Sequence, residues 1–95
     1  MNRLFSHIRE LVMADRYMVG DHAVEQLDAR GILEWQVVVG TESGMLVIER
    51  PDAKPNPAVE VDVVLADGTT VKAVWAWLRQ ADIAKLVTVH FYDRD

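Results

Sequence analysis

Residues 59–77 read VEVDVVLADGTTVKAVWAW, and this stretch decides the fold. Val59, Val61, Val63 and Leu65 alternate with Glu60 and Asp62, Asp67-Gly68 supplies tight-turn chemistry, and Val71, Ala73, Trp75 and Trp77 alternate on the return, which together specify a β-hairpin. The returning strand is also apolar on its other side, through Val74, Ala76 and Leu78. Both faces of that strand therefore need cover, and a partner subunit, the ends of the first helix or a ligand would each supply it. A homodimer is the commonest solution for a small domain.

Working outward, Met45 to Arg50 is an apolar run stopped by Pro51, and Pro51 to Pro57 is a proline-rich loop, excluded from a central strand by its missing amide donors. Downstream, Leu86 to Tyr92 is expected as the last strand, with Val87, Val89 and Phe91 on one face and Thr88, His90 and Tyr92 on the other. Upstream, Leu4, Phe5, Ile8, Leu11 and Val12 recur at helical spacing over residues 3–15. Gly20-Asp21 opens a second helix, over 22–30, that closes at Gly31. Residues 33–39 are undecided, because Trp35 and Val37 to Val39 favour strand by propensity while the preceding helix end suits a short third helix. Helices followed by four strands argue for an α+β domain spanning 1–95, with two or three N-terminal helices packed on a four-stranded, mainly antiparallel sheet.

Composition narrows the function classes. With 95 residues, 51% apolar and 26% charged, the chain reads as one soluble globular domain. The absence of cysteine removes disulfides, thiolate metal sites and a cysteine nucleophile. Its longest apolar run, Ala73 to Leu78, is far too short for a membrane span, so the expectation is a cytoplasmic protein without a membrane partner. A formal charge of −5 with singly scattered cations disfavours nonspecific nucleic-acid binding.

Asp21-His22-Ala23, Arg30-Gly31-Ile32, Val37 with Gly40, Val47-Ile48-Glu49 and Leu86-Val87-Thr88-Val89 resemble the bacterial domain-of-unknown-function family 4258 over most of residues 17–92. That family is similar in layout to the RelE and ParE toxin-like ribonuclease superfamily. The resemblance implies helices on a small antiparallel sheet, a short helix at 33–39, and a RelE-like toxin-type domain that cleaves or binds RNA, with an antitoxin-like protein partner. Leu33 and His90 depart from the family's usual residues.

Metal-independent RNA cleavage needs a base, an acid and a group that stabilises developing negative charge. His22, in the first turn of a helix, suits the base; His90 or Tyr92 suits the acid; Arg30 or Thr88 suits the third role. Each residue also has a structural role open to it. His22 can lock the turn with Asp21, Arg30 can complement its helix dipole about 12 Å from His22, and Thr88, His90 and Tyr92 can form an ordinary half-exposed strand face. Trp75 and Trp77 suit the core better than a base-stacking platform, because basic residues do not flank them. His7, His22 and His90 lack metal-ligand spacing, no glycine-rich phosphate loop is present, and no cofactor is implied. Two functions stand side by side: the toxin-like RNA domain, and a noncatalytic protein-interaction module that dimerises or binds a partner through its sheet.

Overall fold

The computed structural model describes residues 3–92. Three helices and five strands follow in the order α1 (Arg3–Met13), β1 (Tyr17–Val19), α2 (Asp21–Arg30), α3 (Glu34–Glu42), β2 (Met45–Arg50), β3 (Ala58–Val64), β4 (Thr70–Leu78) and β5 (Ile83–Phe91). They form one sheet in the order β1-β5-β4-β3-β2, antiparallel throughout except that β1 runs parallel to β5. The α+β class holds, and the sheet gains a fifth strand over the expected four.

The stripe that marks α1 in the sequence is the one it buries: Phe5, Ile8, Leu11 and Val12. Its first turn carries no acid of its own; Glu49 of β2 supplies one, accepting a hydrogen bond from the Phe5 amide at 2.9 Å where the helix has unpaired donors. Helix α2 ends as the sequence indicates, with Gly31 at φ 66° and the Gly31 and Ile32 amides closing onto the Asp28 and Leu27 carbonyls.

Of residues 33–39, undecided by propensity, 34–39 belong to a helix and Leu33 is its extended N-cap residue. Val37 and Thr41, one turn apart, are its fully buried residues. Gly40 and Gly44 bring it close to β3, since a methyl on either would overlap the Val63 or Val61 side chain. The Thr41 hydroxyl donates to the Val37 carbonyl at 2.8 Å and accepts from the buried Trp75 indole N–H at 3.1 Å. Tertiary packing thus overrides the β-branched composition.

The last strand departs from simple alternation. Val74 pairs with Thr88 and Trp75 with Leu86, so Val87 is the extra residue of a bulge, and Leu86 and Val89 are both fully buried. The expected face of Val87, Val89 and Phe91 is therefore broken at Val87. The strand also begins at Ile83, three residues before the expected start.

One core cluster draws on all three helices and on Val59, Val61, Val63, Val71, Ala73, Trp75, Ala84, Leu86 and Val89 of the sheet. Val74, Ala76, Leu78 and Ile83 take no part in it. They lie on the opposite face, which no helix covers among the described residues.

Candidate functional site

Three places gather polar side chains. The first is the helix-free face of the sheet. Lys72 stands opposite Asp62 on one side and His90 on the other. Glu60 accepts from Arg50 at 3.1 Å and from Lys72 at 3.2 Å, and the Tyr92 hydroxyl donates to Asp62 at 2.6 Å. Partial burial pulls the Glu60 pKa upward, but the Arg50 and Lys72 hydrogen bonds outweigh it and hold the carboxyl below its ordinary 4.5. Tyr92 is pushed the other way, to about 12, chiefly because its hydroxyl proton is held by the Asp62 carboxylate. It is therefore a poor proton donor in the physiological range.

The second place is a groove of about 330 Å³ at the far end of α2, lined by Arg30, Ile32, Gln36, Asp67, Thr69 and Phe91, among others. Arg30 stacks on Phe91, its guanidinium carbon 4.1 Å from the ring centre.

The third is a groove of about 310 Å³ between α1 and the end of β4, lined by Arg3, Leu4, His7, Pro51, Pro57, Trp77 and Arg79. Two of its lining residues share one acceptor: Asp82 Oδ1 binds His7 Nε2 at 2.8 Å and accepts from the Trp77 indole N–H at 2.9 Å. The His7 hydrogen bond first, then that of Trp77, holds the Asp82 carboxyl below its ordinary 3.8.

The five residues nominated for RNA chemistry are distributed among these places and beyond. His22 is exposed at the start of α2 and Arg30 sits in its last turn. Thr88 donates to Gln26 Oε1 at 2.8 Å, and the same oxygen accepts the Val89 amide at 2.7 Å, so Gln26 caps the edge of β5 beyond the reach of β1. His90 and Tyr92 share the helix-free face with two carboxylates. No hydrogen bond joins His22, Thr88, His90 and Tyr92 to one another among the described residues. Neither does any group of three His, Cys, Asp or Glu there suit a metal ion.

The sequence reading missed the third groove. It placed both tryptophans in the core, and Trp75 is fully buried, but Trp77 is only half-buried and carries the Arg79 guanidinium 5.6 Å from its ring centre. Arg79 lies two residues beyond Trp77 and was the available signal. Arg3 and His7 reach the same place from the other end of the chain. No helix of the described residues is long and apolar enough to cross a membrane. Comparison with protein families, curated proteins and solved structures gives no match to this chain.

Proposed function

We propose that the protein is a noncatalytic interaction module that pairs with a second copy of itself through the helix-free face of its sheet. The observation that carries this reading is the placement of all three helices of the described residues on one face, with Val74, Leu78 and Ile83, each half-buried, and Ala76, 5% exposed, on the other. The size of the face supports a modest interface. Strands β2 to β5, at about 4.8 Å spacing and about 3.4 Å per residue, present roughly 500 Å² per partner, in the range of weak interfaces and consistent with micromolar affinity.

Charge selects the occupant. Arg50, Lys72 and His90 stand among Glu60 and Asp62, so the face carries both signs, and Glu60 is already paired with Arg50 and Lys72 within one chain. A polyanion on the same face would meet both carboxylates. Sedimentation equilibrium tests the reading: a dimer is expected at about 100 µM, with affinity rising as salt screens the mutual repulsion of two −5 chains. Val74→Lys, beside Glu60 in the β3–β4 register, should give a folded monomer. A wild-type protein that is monomeric at every concentration and salt would overturn it.

The toxin-like RNA-cleaving domain is the second reading. It is favoured by the layout of helices ahead of a largely antiparallel sheet, together with the family resemblance. It predicts cleavage of single-stranded RNA that is lost in His22→Ala, and RNA binding that weakens with salt, opposite to the dimer.

A further inference from the structure

We propose that the groove between α1 and the end of β4 binds a small aromatic anion, with Trp77 as its aromatic wall and Arg3 and Arg79 as its anion contacts. The inference is independent of the dimer reading, because Trp77 packs on the helix side of the sheet.

The walls are built before any ligand arrives. Pro51, Pro57, Leu4 and His7 of α1, and Trp77 line the groove together. Asp82 fixes the indole N–H and the imidazole together, and His7 meets Trp77 edge-on, with ring centres 4.9 Å apart and planes at 74°. The backbone behind Asp82 is itself held, since Arg16 donates to the Asp82 and Ala81 carbonyls. The aromatic wall therefore needs little ordering when a ring packs on it.

Size and charge then define the ligand. A cavity of roughly 150 Å³ holds benzene, so about 310 Å³ accommodates two fused rings with a substituent. Arg3 and Arg79 both line this groove in a protein of net charge −5, and neither has a carboxylate partner among the described residues. Arg30 lies 4.1 Å from the Phe91 ring centre, whereas Arg79 stands 5.6 Å from that of Trp77, a looser contact. The free amides at the start of α1 add positive potential, partly answered by Glu49 at Phe5. The Asp82 carboxylate, which holds His7 and Trp77 through the one oxygen Oδ1, is an opposing charge that the two arginines outnumber.

An aromatic carboxylate and a nucleoside monophosphate both offer this chemistry. Titration of the isotope-labelled full chain with naphthoate, naphthamide and uridine monophosphate, followed by NMR, separates the possibilities. Saturable shifts at the Trp77 indole N–H and at His7 are expected with naphthoate, while naphthamide should bind about tenfold more weakly for loss of a charge-assisted contact. Arg79→Gln should weaken naphthoate about tenfold and leave naphthamide unchanged, a difference that simple loss of fold would not produce. Tighter binding of uridine monophosphate than of naphthoate would identify the natural ligand as a nucleotide at the same site. Equal binding of acid and amide, shifts confined to the Arg30–Phe91 groove, or no saturable shift with any of the three would overturn the proposal.

Discussion

The Thr41→Val variant isolates the contact that ties α3 to the sheet. Valine matches threonine in shape and is close to it in helix propensity, so the change removes a hydroxyl and little else. Trp75, fully buried, then loses the acceptor 3.1 Å from its indole N–H. An unsatisfied buried donor costs about 1–3 kcal/mol. The hydroxyl's own bond to the Val37 carbonyl adds little, because that carbonyl sits within the helix. For a domain of this size the loss corresponds to a melting-temperature drop of about 5–20 °C. Urea denaturation of wild type, Thr41→Val, Trp75→Phe and the double variant would measure it. The double variant should be more stable than the sum of the single losses predicts, by about 1 kcal/mol or more, since removing both partners leaves nothing unpaired. A Thr41→Val loss below about 0.5 kcal/mol, or strict additivity, would refute the assignment of this hydrogen bond as the anchor.

Three further outcomes are expected. Gly44→Ala should destabilise by about 1–3 kcal/mol in chemical denaturation, because its methyl meets the Val61 side chain and, at 3.0 Å, the Asp62 carbonyl. Gln26→Ala should leave the core intact yet accelerate hydrogen exchange at the Val89 amide, which loses its acceptor at the uncovered edge of β5. Asp82, held below 3.8 when folded, contributes stability that is full above about pH 4 and declines as pH falls through its lowered value. Asp82→Asn should accordingly flatten the acid limb of a melting-temperature profile recorded between about pH 2 and 6.

How far the sequence disclosed this molecule depended on how local the governing contacts are. The hairpin of residues 59–77 and the stripe on α1 were legible because alternation and helical spacing are written in neighbouring residues. Tyr17–Val19 was not, since three residues between two helices give no periodicity and their pairing partner begins at Ala84. The helix at α3 turned on close approach to β3, for which Gly40 and Gly44, four apart, were the visible but unread sign. The bulge at Val87 left no local mark. The two-sided apolar strand was read directly, and its helix-free side is the face on which the dimer proposal rests. By contrast, the Trp77 groove assembles His7 and Asp82 from positions 75 residues apart, beyond any local pattern.

Isotope-filtered NOE measurements on an equimolar mixture of labelled and unlabelled protein test the self-pairing most directly. Intermolecular NOEs linking the methyls of Val74, Leu78 and Ile83 to the same face of a second copy are the expected result. Intermolecular NOEs confined to the β2 edge around Met45 and Val47, or none at concentrations of several hundred micromolar, would contradict pairing through the helix-free face.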